Sequence, residues 1–292
     1  MEEKLIKICE LNKDFDMYSN NTFRLHSIAK YFIKINNIEH LKEIVSILNE
    51  YKAKWFVIGN GSNIILPSYY DGVIIKLEGL NNYKIENDIL YAETGCMLNK
   101  IATLVSNQGY TGFEWATGIP GTIGGSVVGN AGAYLKSISD LLIKATVYDG
   151  ENIYEMSNED FKYEYRNSVL KGNHNIVVLS STFKLEKGNI DEIKALILDR
   201  TNRRISTQDL KNPSNGSVFR NPDSSPAGKL IDEAGLKGIS VNDAQVSNIH
   251  ANFIINKGTA TSEDIIKLIE IVKLKVKDIY DIELHLEQEI IQ

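Results

Sequence analysis

Apolar residues at helical spacing predict several amphipathic helices along the chain. A first helix ending near Lys52 is predicted by the apolar positions Ile38, Leu41, Ile44, Val45 and Leu48. A second helix that closes near Gly109 is predicted by Leu98, Ile101, Ala102, Leu104 and Val105. Helical spacing returns from Ile190 to about Ile205. A final long helix follows Thr261 and Asp264, which form a capping-box pattern with Asp in the usual place of Glu.

Strands are predicted between these helices. Short apolar or alternating runs favour strands over residues 22–25, 55–58, 64–66, 143–148, 175–184 and 246–255, with a meander of short strands over 71–93. A short helix is predicted to be capped by Ser225, to have Pro226 as its first helical residue and to end at Gly235. Helices and strands in this order predict an α+β protein.

Length and composition agree with a globular enzyme of about two domains. The 292 residues are 43% apolar and 24% charged, and the formal net charge of −6 does not favour a nucleic-acid binder. No apolar run approaches the roughly 18–20 residues of a membrane helix, and the acidic start is unlike a signal peptide, so we expect a cytoplasmic protein. Cys9 and Cys96 lie far apart and outside any Cys/His cluster, which predicts small buried side chains and no metal site.

The stretch from Gly118 to Tyr134, here called loop two, is unusually rich in glycine. Six of its seventeen residues are glycine in a chain that has 21. Its spacing matches neither the G-x-G-x-x-G fingerprint nor a P-loop. A turn that lets strands pack would explain one glycine, but six glycines beside Thr122, Ser126 and Asn130 favour a cradle for a cofactor.

A second small-residue loop, Gly59-Asn60-Gly61-Ser62-Asn63, is here called loop one. It follows the predicted buried strand 55–58 and leads into the strand 64–66. Such a loop turns backbone N–H groups outward and suits a diphosphate, although Asn-Gly is also common in a simple hairpin.

The segment from Arg200 to Lys237 contains seven basic and four acidic residues. About half of this charge is accounted for by a solvated surface. The remaining positive charge on an acidic protein suits an anionic small-molecule ligand.

Seven motifs together resemble the UDP-N-acetylenolpyruvoylglucosamine reductase (MurB) family over nearly the whole chain. They are loop one, loop two, Tyr165-Arg166-Asn167-Ser168, Gly216-Ser217-Val-Phe-Arg-Asn-Pro222, Leu230-Ile-Asp-Glu-Ala-Gly-Leu-Lys-Gly238, Ser247-Asn-Ile-His-Ala-Asn252 and Leu286-Glu-Gln-Glu-Ile290. The compact form of the family, without an extra substrate-covering insertion, is the closer likeness. The resemblance implies a two-subdomain FAD-binding module of the vanillyl-alcohol-oxidase type plus a smaller α/β substrate-binding domain. We expect the module at 1–200 (subdomains 1–80 and 81–200, with the tail 284–292 returning) and the substrate domain at 201–283.

The resemblance also implies roles for individual residues. Ser217 would donate a proton, and Arg166 and Glu289 would flank the reacting group. The implied FAD-binding residues are Gly59, Asn60, Gly61, Ser62, Asn63, Gly118, Ile119, Pro120, Gly121, Thr122, Gly124, Gly125, Ser126, Asn130, Ala131 and Gly132. The substrate-binding residues would be Tyr165, Asn215, Arg220, Lys229 and His250.

The implied reaction reduces an enolpyruvyl ether to UDP-N-acetylmuramate for peptidoglycan synthesis, with NADPH as hydride donor and non-covalent FAD as carrier. Arg166 would hold the substrate carboxylate, Glu289 would hydrogen-bond it, and Ser217 would protonate the neighbouring carbon. The implied partners are the UDP-sugar substrate and NADPH, with no nucleic acid and no membrane. The sequence does not give the oligomeric state, and a monomer is favoured.

Four positions depart from the family pattern: His26 and Ser27 stand where two glycines are usual, Leu135 where glycine is usual, and Arg220 where lysine is usual. The family's terminal glutamate aligns with Glu289, and a second alignment places it at Glu287. Two other hypotheses stay open, another FAD-dependent oxidase or dehydrogenase of the superfamily and a non-catalytic flavin-binding paralogue. The first often tethers flavin through a loop histidine, whereas loop one has neither His nor Cys.

Overall fold

The computed structural model describes all 292 residues and divides into two compact units. The first unit comprises Met1–Lys13, Tyr31–Asn60 and Asp71–Asn202, and the second comprises Asp14–Lys30, Gly61–Tyr70 and Arg203–Gln292. Each unit mixes helices and strands, as the sequence predicts.

The helices are α1 Glu2–Leu5, α2 Ile38–Glu50, α3 Leu98–Asn107, α4 Ile123–Val128, α5 Ile190–Thr207, α6 Ala227–Glu233 and α7 Ser262–Tyr280. The strands are β1 Asn12–Asp16, β2 Ile28–Lys34, β3 Trp55–Ile58, β4 Ile64–Ile65, β5 Tyr69–Lys76, β6 Tyr83–Glu86, β7 Ile89–Glu93, β8 Tyr110–Thr111, β9 Gly132–Ala133, β10 Lys136–Ser137, β11 Leu142–Tyr148, β12 Ile153–Ser157, β13 Val177–Lys184, β14 Glu186–Lys187, β15 Ser240–Val241, β16 Ala244–Val246, β17 Ile254–Asn256 and β18 Glu289–Ile290.

Two cores fill the first unit. A four-stranded sheet in the order β1-β2-β5-β3 carries the parallel pair β3–β5, in which Trp55 lies opposite Val73. Helix α2 buries the predicted face of Leu41, Ile44, Val45 and Leu48 in the core beside this sheet. The antiparallel sheet β12-β11-β13-β7-β6 packs with α3 and α4 around a second core that includes Phe113, Trp115 and Phe183.

The second unit is built around α7. Its buried stripe Ile265, Leu268, Ile269, Val272 and Val276 packs in one core with α6 and the small sheet β15-β16-β17. The predicted capping box is confirmed, because Thr261 accepts from the Asp264 N–H and Asp264 accepts from the Thr261 N–H. The C-terminal strand β18 pairs in parallel with β4.

The predicted strand over 22–25 is wrong. The Asn21 side chain accepts from the Leu25 N–H at 2.9 Å and donates to the carbonyl oxygens of Met17 and Leu25 at 2.8 and 3.0 Å. These bonds close a turn, and Arg24 has a φ of 57°, which lies outside the β region. The Asn21 side chain thus provides the hydrogen bonds that a neighbouring strand would have provided to a strand over 22–25.

The single strand predicted over 246–255 is also wrong, because the structure has the antiparallel strands β16 and β17 instead. The intervening loop is held by the fully buried Ser247, whose hydroxyl oxygen accepts from the Ile249 and His250 N–H groups. Local side-chain bonding competes here with the sheet ladder.

Two helix predictions need correction. Loop two contains the helix α4, although glycine lowers helix propensity. Pro226 is the N-cap of α6 rather than its first helical residue, and the Asn221 side chain, not that of Ser225, accepts from the Ala227 N–H at 3.0 Å. Of the two cysteines, Cys96 is buried and Cys9 only partly so. None of the helices combines the length and the hydropathy that a membrane span requires.

Candidate active site

Loops one and two touch inside the first unit. The Asn60 side-chain amide donates to the Pro120 carbonyl oxygen at 2.6 Å. A Cβ atom on Gly59 would lie 2.6 Å from the Thr122 hydroxyl oxygen, which itself caps α4 by accepting from the Gly125 N–H. Glycine at 59 is therefore required for this contact, and the two glycine-rich loops form one surface as far as residue 60.

Packing explains another glycine of loop two. The Gly124 N–H donates to the Thr94 carbonyl oxygen at 3.0 Å, and a Cβ on Gly124 would overlap the Thr94 hydroxyl. The helix can approach β7 only because this residue has no side chain. Gly124 is thus a packing position, while the neighbouring predicted cofactor residues precede α4 (Gly118, Ile119, Gly121), lie in it (Gly125, Ser126) or follow it (Ala131).

The remainder of loop one lies in the second unit and presents unpaired amides. Gly61 has a φ of 62°, and a Cβ there would overlap the Asn20 carbonyl oxygen. The Gly61 carbonyl accepts from the Thr22 N–H at 3.2 Å, whereas the N–H groups of Gly61, Ser62 and Asn63 donate to no protein acceptor. Three consecutive free donors around a left-handed glycine fit the diphosphate of FAD.

Arg166 occupies the tip of a tight turn in the first unit. Glu164 and Asn167 exchange both backbone hydrogen bonds, at 3.1 and 3.2 Å, which leaves Tyr165 and Arg166 as the two tip residues. Arg166 has a φ of 55°, and its guanidinium lies 4.9 Å from the centre of the half-exposed Tyr165 ring. The guanidinium also donates to the Gly132 carbonyl oxygen, so Arg166 contacts the end of loop two.

Side chains of the same segment complete loop two. Tyr163 and Ser168 donate through their hydroxyls to the Val127 and Val128 carbonyl oxygens, at 3.0 and 2.6 Å, where α4 ends. The buried Asn130 donates to the Glu164 carbonyl oxygen at 2.9 Å and accepts from the Ser139 N–H at 3.1 Å. Burial raises the pKa of Tyr163, which keeps this hydroxyl a donor. The Arg166 turn and loop two are therefore one hydrogen-bonded assembly.

Strands β9 and β10 form a hairpin that begins at the end of loop two. Its two-residue tip is Tyr134-Leu135, with φ values of 54° and 61°. The Tyr134 hydroxyl donates to the Arg200 carbonyl oxygen at 3.3 Å, and the Arg200 guanidinium lies 4.8 Å from the ring centre. Leu135 is fully exposed. Leucine in this left-handed conformation costs about 1–2 kcal/mol relative to glycine. The departure from the family's glycine therefore strains the hairpin but does not prevent it from forming.

In the second unit, hydrogen bonds to the residues after Ser217 hold its backbone in place. The Val218 N–H donates to the Asn252 carbonyl oxygen at 2.9 Å. The buried Asn252 side chain then accepts from the Phe219 N–H at 3.0 Å and donates to the Phe219 carbonyl at 2.8 Å. The Ser217 hydroxyl itself makes no hydrogen bond to the protein. A fixed backbone with a free hydroxyl is the arrangement that a proton donor needs.

The C-terminal tail lies along the other side of this segment. The Glu287 N–H donates to the Val218 carbonyl oxygen and the Glu289 N–H to the Asn63 carbonyl oxygen, each at 2.9 Å. The Asn63 side chain donates to the Glu287 carbonyl at 3.1 Å. Both Glu287 and Glu289 are partly buried, and only Glu289 lies in the strand paired with β4.

Two predicted substrate residues have different surroundings. Asn215 is buried, and its amide accepts from the Thr22 hydroxyl at 2.6 Å and donates to the Ile64 carbonyl oxygen at 2.7 Å. Arg220 donates its backbone N–H to the His285 carbonyl oxygen, while its buried Nε finds no partner. Asn215 therefore ties its loop to β4, and Arg220 keeps an unused donor.

His250 and Lys229 complete the predicted set. His250 packs 4.4 Å from the Phe253 ring centre, its buried Nδ1 has no partner, and burial lowers its pKa. Lys229 is exposed and forms a 3.8 Å ion pair with Glu233. Of the departures at 26 and 27, His26 stacks on Tyr18 and contacts Asp16 at 2.7 Å, whereas Ser27 is buried.

Sequence reasoning missed several residues that build the site. Asn252 and Gln288 stood in recognised motifs without a role of their own, and Thr94 carried no sequence signal. Their contacts are to backbone atoms of distant segments.

Family models match both ends of the chain. Residues 29–152 match a family described as FAD binding domain, and residues 208–291 match UDP-N-acetylenolpyruvoylglucosamine reductase, C-terminal domain. Among solved structures, the Thermus caldophilus UDP-N-acetylenolpyruvylglucosamine reductase aligns with a TM-score of 0.83 at 28% identity, over 97% of this chain and 100% of that one. A glucose dehydrogenase, Phl p 4.0202, shares the fold alone, with a TM-score of 0.53 at 11% identity over 65% of this chain and 44% of that one.

Curated relatives match almost end to end. The UDP-N-acetylenolpyruvoylglucosamine reductase of Clostridium novyi is 38% identical over 291 residues, which is 99% of this chain and 94% of the relative. That of Anoxybacillus flavithermus is 39% identical over 278 residues, 94% of this chain and 92% of the relative. With both family models matched and identity above 35% over nearly the full length, this chain belongs to the UDP-N-acetylenolpyruvoylglucosamine reductase family of FAD-dependent oxidoreductases.

Proposed function

We propose that this protein reduces UDP-N-acetylenolpyruvoylglucosamine to UDP-N-acetylmuramate with NADPH and non-covalent FAD, as a step of peptidoglycan precursor synthesis. In this proposal the protein is a monomer and acts in the cytoplasm. Membership of the family carries the proposal. The observation in this chain that supports it is the pairing of an immobilised Ser217 backbone with an unbonded Ser217 hydroxyl. The predicted three-part division, with FAD subdomains 1–80 and 81–200 and a substrate domain 201–283, remains part of the proposal.

FAD would be held by the two loops. Asn60 and Thr122 keep the loops in contact, and the amides of residues 61–63 supply donors for its diphosphate. When bound, FAD supplies the redox chemistry by accepting hydride from NADPH and giving hydride to the methylene carbon of the enolpyruvyl ether. No residue of loop one is a nucleophilic His or Cys, so FAD should be released intact when the protein is denatured.

Three side chains would manage the charge that hydride addition creates. Addition at the methylene carbon leaves negative charge on the carbon next to the carboxylate. Arg166 is suited to bind that carboxylate because its guanidinium is permanently charged and presents a planar pair of donors. Glu289, when protonated, would donate a hydrogen bond to the same group.

Ser217 would protonate the carbon. Its O–H bond breaks as the new C–H bond forms, and the charge passes from substrate to the serine oxygen. That oxygen needs a nearby cation or donor. Of the two basic residues implied to bind substrate, Arg220 has an unused buried donor, whereas Lys229 is paired with Glu233. Asn215 takes a structural part in this proposal, and Tyr165 and His250 remain proposed substrate contacts.

The product identifies the reaction. Purified protein would be incubated with UDP-N-acetylenolpyruvoylglucosamine and NADPH, and the sugar nucleotide would be analysed by mass spectrometry. The expected product carries two more hydrogens than the substrate, because a hydride from the reduced flavin and a proton add across its C=C bond. Unchanged substrate with protein fully loaded with FAD would overturn the proposal, and flavin reduction by an alcohol or sugar instead would favour the oxidase alternative.

A further inference from the structure

Gln288 is a buried amide between two partly exposed acids. It is only 3% exposed, and its Nε2 donates to the carbonyl oxygens of Gly216 and Ser217 at 3.4 and 3.2 Å. One side-chain amide thus bridges two consecutive backbone carbonyls. Nothing in the proposed chemistry requires Gln288 itself.

These two carbonyls belong to the peptide planes on either side of the Ser217 Cα. The orientations of the two planes are the φ and ψ of Ser217, and together they set the direction of its Cα–Cβ bond. An amide that holds both planes therefore fixes the Cα–Cβ direction from which the Ser217 hydroxyl projects, without touching the hydroxyl. Gly216 itself adopts a φ of 73°, a conformation in which glycine is unstrained.

The amide orientation is fixed by its partners. Exchanging the oxygen and nitrogen of the Gln288 amide would set Oε1 against two carbonyl oxygens, which is repulsive. The backbone on both sides of Gln288 is anchored too, since the N–H groups of Glu287 and Glu289 donate to Val218 and Asn63. The buried Oε1 has no partner, so the side chain is held by the two carbonyl contacts and by packing.

We propose that Gln288 is a positioning residue for proton transfer, which acts by fixing the Ser217 backbone conformation. The inference rests on the proposed role of Ser217 and adds a residue to it. It follows that Gln288 affects the step in which substrate is protonated and leaves the reaction with NADPH unchanged.

Two variants separate this role from general packing. Gln288→Met keeps the volume and removes both donors. It should slow flavin re-oxidation by substrate roughly 10- to 100-fold, the scale of a sub-ångström misplacement, and should raise the solvent deuterium isotope effect on that step. Gln288→Glu sets a carboxylate against two carbonyls, but once protonated it regains one donor, so its re-oxidation rate should recover as the pH is lowered while that of Gln288→Met should not.

Gln245→Met is the matched control, because Gln245 also donates to a backbone carbonyl, that of Gly238 at 3.1 Å, away from Ser217. It should leave both half-reactions unchanged. A wild-type re-oxidation rate and isotope effect in Gln288→Met would overturn the inference. An equal slowing of the NADPH half-reaction would also overturn it, by showing a general structural role. Failure of the wild-type protein to be re-oxidised by substrate would instead refute the proposed function.

Discussion

The Asn252 side chain makes both hydrogen bonds of a β-sheet partner to the backbone of Phe219, two residues after Ser217. Because Asn252 is buried, its loss leaves a buried N–H and a buried carbonyl without partners. We expect Asn252→Ala to lower the free energy of unfolding by about 2–4 kcal/mol. Chemical denaturation measures this, with the exposed Asn248→Ala as control at below about 0.5 kcal/mol. Equal effects of the two substitutions would show that the hydrogen bonds between Asn252 and Phe219 do not stabilise the fold.

Ser217→Ala should separate the two half-reactions. The hydroxyl makes no hydrogen bond within the protein, so its loss should not disturb folding or the bleaching of bound FAD by NADPH. Re-oxidation by substrate should slow by at least the roughly 10²–10⁴-fold usual for a general acid. Stopped-flow absorbance of the flavin follows both steps. Near-normal re-oxidation would remove Ser217 from the mechanism.

Arg166 should matter more for the substrate than for the cofactor. Arg166→Met removes the charge proposed to bind a carboxylate, and it also removes the bond to the Gly132 carbonyl. We expect substrate reduction to fall at least about 100-fold with FAD still bound, since loop two is also held by Asn130, Tyr163 and Ser168. Arg166→Lys keeps the charge and should recover part of the activity. Loss of FAD in parallel with activity would mean that Arg166 chiefly supports loop two.

His250 should make the second unit sensitive to acid. Burial lowers its pKa in the folded protein, and the charge of Lys237 acts in the same direction. The folded state therefore binds this proton less readily than the unfolded state, so the stability contribution is intact above about pH 6.5 and is lost as the pH falls below that value. Thermal unfolding from pH 7.5 to 5 should show a larger loss for wild type than for His250→Gln. Parallel curves for the two proteins would contradict the prediction.

Periodicity predicted the elements whose stability comes from one apolar face. Helices α2, α3 and α7 follow their sequence patterns closely because the buried residues recur along the same side. The failures share a different cause. The Asn21 amide closes a turn where a strand was predicted, Ser247 holds a loop inside another, and α4 forms in a glycine-rich stretch because Thr94, Tyr163 and Ser168 support it.

The site divides in the same way. Ser217, Arg166 and the two loops lie in recognisable local motifs, so resemblance could suggest them. Gln288 and Asn252 act on backbone atoms that are distant in the chain, and these contacts exist only after folding. Leu135 is the opposite case. The sequence identifies it as a departure from the family pattern, but only the structure shows that it lies at a strained, fully exposed hairpin tip.

The most direct test of the account is a double-mixing experiment on the wild-type protein with its FAD. NADPH is first used to bleach the flavin without oxygen, and UDP-N-acetylenolpyruvoylglucosamine is then added. We expect rapid and complete return of the oxidised flavin spectrum, with one product molecule formed per flavin. Flavin that stays reduced in the presence of this substrate, or that is reduced by an alcohol or sugar rather than by NADPH, would contradict it.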